Sequence, residues 1–208
     1  MKKSISISRT AHYYIQEPEN QVKKVLFIIH GYAQLAGDFI KEFEYLKTSS
    51  TLVVAPEGLS KFYNKSRKPV ANWMTSHERE DEIADYVKYL IAVEREIFTT
   101  YGNTEKIALG FSQGVSTLFR WLIASEYEST SIYACSGSIP PELNSSAVST
   151  IKKSTIHYSY GNNDGLQPIE SAIKQINFLK SLSLIVSAHP FNGGHEVSNE
   201  TKSLIENT

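Results

Sequence analysis

Lys106-Ile107-Ala108-Leu109-Gly110-Phe111-Ser112-Gln113-Gly114-Val115 decides how this chain is read. Ile107 to Leu109 is a short apolar run stopped by Gly110, as a buried strand would be. Directly behind Gly114, the residues Val115, Leu118, Phe119 and Leu122 recur at the spacing of one helix face. A strand that breaks at Gly-x-Ser-x-Gly and turns at once into a helix is the setting of a nucleophile elbow. Such a turn strains the serine backbone, the flanking glycines leave it room, and the helix amino terminus favours negative charge developing nearby. The pentapeptide alone is weak, because a Gly-rich strand-to-helix turn with a serine cap carries the same letters. Its flanks give it weight.

Outward from that stretch, strands and helices alternate, which predicts a mostly parallel sheet covered by helices. Val25 to Ile29 is a continuous apolar run ending at His30-Gly31, and Leu52 to Ala55 is another, closed by Pro56-Glu57-Gly58. Ile132 to Cys135, Ile156 to Tyr160 and Leu184 to Ala188 supply three more. Ser4 to Arg9 alternates polar and apolar residues and Tyr13 to Gln16 follows, so antiparallel edge strands are expected at the start. Helices are predicted around Phe39, Phe43 and Leu46, from Glu80 to Phe98, after Pro168 (Ile169, Ile173, Ile176, Leu179) and from Val197 to Ile205. Leu59 to His77, with Lys61, Lys65, Arg67 and Lys68, reads as a solvated loop, with a binding lid as the alternative. Neither a repeat nor a linker divides residues 1–208, so one domain is expected.

A serine hydroxyl attacks only when a base takes its proton, and the base needs an orienting acid. In strand–elbow–helix enzymes the order is Ser, then acid, then His. Asp164 is the only aspartate after Ser112, and it lies in Gly161-Asn162-Asn163-Asp164-Gly165, just past a predicted strand. An ordinary turn aspartate would look the same. Glu170 is the nearest other acid, but Pro168 places it in a helix. His195 follows Gly193-Gly194 in a loop beyond the last strand, whereas His189 sits at a strand end beside Pro190 and reads as structural. The tetrahedral intermediate needs donors, for which the N–H of Gln113 and one from the loop His30-Gly31-Tyr32-Ala33 are candidates. His30 itself reads as a brace for that loop.

Composition excludes several other classes. The formal charge of -1 gives no field for nucleic acid or an anionic membrane. Hydrophobic residues at 41% and charged residues at 21% are ordinary for a globular chain, and no run approaches the roughly 20 apolar residues of a membrane span. A cytoplasmic protein without membrane insertion is expected. The single cysteine, Cys135, sits in an apolar run and reads as a buried hydrophobe, so no disulfide forms within the chain. Six histidines without ligand spacing and no phosphate-binding glycine fingerprint predict neither metal nor cofactor.

Several blocks together resemble the phospholipase/carboxylesterase family of α/β-hydrolases, which includes acyl-protein thioesterases. They are His30-Gly31, Trp73-Met74 followed by Glu80-Asp81-Glu82, Gly110-Phe111-Ser112-Gln113-Gly114, Ser136-Gly137, Tyr160-Gly161 with Asp164, and Gly194-His195-Glu196. The resemblance implies a twisted, mostly parallel sheet with helices on both faces. It also implies a triad of Ser112, Asp164 and His195, with oxyanion N–H groups from Tyr32 and Gln113. Its expected chemistry is cleavage of carboxylic esters or acyl thioesters through an acyl-enzyme, on a small substrate or an acylated protein or lipid. Ala33-Gln34 and Asp164-Gly165 depart from the family's usual Gly-Asp and Asp-Pro, which bears on substrate preference. Ile139 to Ser154 is too short for a cap domain, so the site is expected to be open. Acyl selection would then fall to Tyr32, Trp73 and neighbouring loops, although Trp73 reads equally well as a core aromatic. A non-catalytic protein of this fold that binds a ligand or partner is the alternative, and the three triad types occurring together favour hydrolysis.

Overall fold

The computed structural model describes residues 1–102 and 104–208. Among the described residues nine strands form: β1 (Tyr13–Gln16), β2 (Lys24–Ile29), β3 (Thr51–Pro56), β4 (Ser60–Tyr63), β5 (Pro69–Asn72), β6 (Glu105–Phe111), β7 (Ser131–Cys135), β8 (Thr155–Gly161) and β9 (Ile185–Phe191). Seven of them make one sheet in the order β1-β3-β2-β6-β7-β8-β9. Only β1 runs antiparallel to its neighbour. The helices are α1 (Ala36–Phe39), α2 (Arg79–Tyr101), α3 (Gln113–Ala124), α4 (Ile169–Ser181) and α5 (Asn199–Glu206).

The alternation of side chains across the pleat explains why continuous apolar runs were needed. Val25, Phe27 and Ile29 of β2 face a core shared with α2, α3 and α4, while Leu26 and Ile28 face a second core with Phe39, Phe43 and α5. Both faces are covered here, so Val25 to Ile29 is buried at every position. The chain winds from β2 to β3 on one side and then crosses back to β6 on the other. The winding direction therefore reverses between β2 and β6, and their carboxyl ends, Ile29 and Phe111, flank the crevice where such sheets place ligands.

Four expectations need correction. Ser4 to Arg9 forms no strand: its alternation could give a two-faced strand, but no neighbouring edge pairs with it, and Ile5 and Ile7 stay exposed. Leu59 to His77 is not a plain loop, since β4 and β5 pair into a hairpin whose base buries Val70, Ala71 and Trp73. Its four cations masked that pattern. The helix expected through Phe39 to Leu46 is a single turn, α1, continued by 3₁₀ turns over Ile40–Thr48. Ile173 of α4 faces solvent, while Ile176 and Leu179 pack on the core. No helix among the described residues is long and apolar enough to cross a membrane.

Candidate active site

The elbow forms where β6 meets α3. Ser112 has φ 54° and ψ -120°, a left-handed φ that non-glycine residues avoid. The surroundings hold it there: its N–H donates to the Cys135 carbonyl at 2.9 Å, and its own carbonyl accepts from Val115 at 3.1 Å. Gly114 permits the turn. A methyl group at that position would lie 2.1 Å from the Ile29 carbonyl oxygen, so only glycine lets α3 start so close to β2.

The loop after β2 is braced from below. His30 is fully buried, its Nδ1 2.7 Å from the Gly31 carbonyl and its Nε2 3.0 Å from the Gly58 amide. The Gly58 N–H can only donate, so Nε2 accepts and Nδ1 carries the proton. Burial lowers the His30 pKa to about 4, against opposing pulls from the Gly31 carbonyl and Glu57, which keeps the brace neutral. The Gly31 N–H donates to Gln34 Oε1 at 2.7 Å, and Ala33 and Gln34 bond back to Ala71 of β5. Ala33 and Gln34, the departures from the family pattern, thus close this loop onto the hairpin. Among the described residues, the N–H groups of Tyr32 and Gln113 donate to no protein acceptor. The Tyr32 ring is 56% exposed and packs against Phe62 at 5.2 Å between centroids.

Asp164 and His195 come together from the loops after β8 and β9, with Nδ1 and Oδ2 2.8 Å apart. The other oxygen, Oδ1, accepts the N–H groups of Leu166 at 2.8 Å and Gln167 at 2.9 Å. Burial raises the Asp164 pKa, but the His195 contact and those two backbone donors outweigh it, and the net direction is down. The two loops close on each other at Gly161, where an added methyl would meet the Gly194 carbonyl at 2.3 Å. The His195 ring packs against Phe111, the residue before Ser112, at 4.9 Å between centroids. No hydrogen bond joins Ser112 Oγ to the imidazole among the described residues; the contact that relates His195 to the elbow is the one with Phe111.

Trp73, which the sequence left between the acyl site and the core, lies in the core. Its side chain is 1% exposed, packed on His30 and Tyr86, with Nε1 donating to the His30 carbonyl at 2.9 Å, so it cannot line an open acyl site. His189 lies away from the site, its Nε2 3.0 Å from His157 Nδ1. Glu170 stands in the first turn of α4. Cys135 is buried, and desolvation pushes its thiol up to about 12. Sequence reading missed the side chain of Gln113, which pairs with the Trp73 N–H at 3.1 Å and the Met74 carbonyl at 2.9 Å. It also missed Gln167, whose Nε2 donates to Tyr158 Oη at 2.8 Å, while that hydroxyl donates to the Gly137 carbonyl. Only proximity to a motif marked either glutamine.

Similarity to known proteins agrees with this architecture. The structure of esterase PE8 superposes with a TM-score of 0.73 at 18% identity, covering 96% of this chain and 97% of that one. Acyl-protein thioesterase 2 from Zea mays gives 0.72 at 15% identity, covering 95% of this chain and 97% of the other. The Bacillus cereus carboxylesterase gives 0.68 at 15% identity, covering 95% and 92%. At these identities the likeness shows a shared α/β-hydrolase fold. No protein of curated function matches the sequence. The phospholipase/carboxylesterase family model matches residues 10–207, and the chain belongs to that family of hydrolases.

Proposed function

We propose that this protein is a serine esterase or thioesterase that works through an acyl-enzyme on Ser112, with His195 as base and Asp164 as its orienting acid. The observation that carries the reading is the Asp164–His195 pair, 2.8 Å apart, with the His195 ring packed on Phe111, the residue before a strained Ser112. With its Nδ1–H donating a hydrogen bond to Asp164, the imidazole keeps the Nε2 lone pair for the serine proton. Ser112 Oγ attacks the acyl carbon as its proton passes to Nε2, a side-chain movement bringing the two together. The oxyanion takes the free N–H groups of Tyr32 and Gln113. Collapse breaks the bond to the leaving alcohol or thiol, which receives the proton from His195. Water then attacks the acyl-enzyme with the same base, releasing the carboxylate and restoring Ser112. On the loops that carry these residues, exposed apolar surface comes from Tyr32, packed on Phe62, and from Leu166, 77% exposed, on the acid loop, which would form the rim of the site. An acyl group, free or carried by a protein or lipid, would lie along that rim.

A fluorophosphonate probe, combined with p-nitrophenyl esters and matched thioesters of increasing chain length, tests the proposal. Wild type should be labelled and turn over ester, and Ser112→Ala should lose both, turnover falling by about 10³-fold or more. A folded wild type that takes no label and cleaves neither substrate is instead a binding protein on this fold.

A further inference from the structure

The two loops that bear the free N–H groups are tied together through one residue that touches no reacting atom. Gln113 reaches across to the exit of β5 and pairs with it at two points, accepting from the Trp73 N–H at 3.1 Å and donating to the Met74 carbonyl at 2.9 Å. Trp73 in turn donates its indole N–H to the His30 carbonyl at 2.9 Å, and its ring lies 5.0 Å from the His30 imidazole. His30 O belongs to the peptide leading into Gly31-Tyr32. A continuous relay therefore runs from the start of α3 through Trp73 to the loop after β2.

We infer that Trp73, gripped by the Gln113 side chain, is a positioning residue that sets the spacing between the Gln113 and Tyr32 amides. This rests on the reading of those two amides as the oxyanion donors. The loop after β2 and the start of α3 lie on different elements, and an oxyanion is held well only when both donors sit about 2.7–3.1 Å from one point. Strand pairing between β2 and β6 stops at Ile29 and Gly110, before either donor is reached. Beyond that register the relay is a polar tie across the gap. Its Trp73–His30 link is buried, with Trp73 1% exposed and His30 fully buried, so water cannot replace a partner lost there, while the Gln113 contacts are half-buried. The clamp uses the side chain of the very residue whose N–H is one donor, so slack in it moves that donor directly.

Trp73→Phe keeps the ring and removes only the indole donor; Gln113→Met keeps the length and removes both amide contacts. Circular dichroism and active-site titration with a fluorophosphonate report folding and the competent fraction. In either variant kcat on a p-nitrophenyl ester should fall about 10- to 100-fold with KM within about two-fold. The inhibition constant of a trifluoromethyl ketone, whose serine adduct carries the oxyanion, should rise by the factor by which kcat/KM falls. A residue serving stability alone would lower the competent fraction and leave that constant unchanged. The double variant should lose no more than the worse single one, because both cut the same tie. Wild-type kcat/KM in both singles, or a fall with an unmoved ketone constant, overturns the inference while the hydrolase reading stands. A wild type with no turnover and no label sinks both.

Discussion

In the proposed site, the nucleophile half and the acid–base half are held by different means. Around Ser112 the constraint is backbone against backbone: α3 starts so close to β2 that a single methyl group on Gly114 would overlap the Ile29 and His30 carbonyls. Around Asp164 and His195 the two loops meet backbone to backbone at Gly161, but the two side chains themselves are set by hydrogen bonds, and Gly165 and Gly194 have open space around them. Steric fixing places a group to within a few tenths of an ångström and tolerates no added atom. Hydrogen-bonded side chains can shift without a clash but depend on charge and protonation. A nucleophile needs the first kind of holding. An imidazole that must take a proton from one group and pass it to another needs the second.

Four changes should break or sharpen that contrast. Asp164→Asn should cost most in activity, about 10³-fold or more in kcat with the fold kept: the amide oxygen can still accept from Leu166 and Gln167, but its NH₂ confronts His195 Nδ1 with the wrong tautomer. Steady-state kinetics beside a thermal melt reads both quantities. Gly114→Ala should act through stability, because the clash is with main chain of a buried strand, 2.1 Å and 2.7 Å from two carbonyl oxygens. A loss of about 3 kcal/mol or more is expected in urea unfolding, and a native midpoint would refute the steric account.

Acid should strike the nucleophile half through its brace. The His30 pKa in the folded chain is about 4, below the unfolded value of about 6.5, so its contribution is fully present above pH 6.5 and drains away as pH falls toward 4. That loss amounts to roughly 3 kcal/mol. Burial lowers His157 and His189 as well, adding loss of the same sign. Urea midpoints that stay flat from pH 7 to about 4.5 would show that the brace is not neutral. Gly194→Ala should do least, since no atom lies within 4 Å of the added methyl: stability within about 1 kcal/mol of wild type and activity within a few-fold.

How much of this was legible varies by element. The parallel strands could be read because burial on both faces demands unbroken apolar runs, and Val25 to Ile29 supplies one. Ser4 to Arg9 misled because alternation reports what a strand could do and says nothing of whether an edge is there to meet it. The β4–β5 hairpin was hidden because its tip is cationic and its buried half, Val70 to Trp73, is short. Ser112, Asp164 and His195 could be picked out because each is nearly the sole candidate of its type in its stretch of chain. Trp73 could not be assigned, because an aromatic beside a motif fits a core and a substrate rim equally well until its exposure is known.

By itself, the sequence determined the alternation of the parallel strands with helices and the strained turn at Ser112, and it named the residues on which the proposed chemistry rests. These are local matters, written in side-chain periodicity and in glycines that permit one backbone path. Only the tertiary structure decided that the winding reverses between β2 and β6, that the hairpin folds back onto the loop after β2, and that Gln113 grips Trp73. Each of those depends on distances between residues far apart in the chain, and a linear pattern carries no information about such distances until packing brings the elements together.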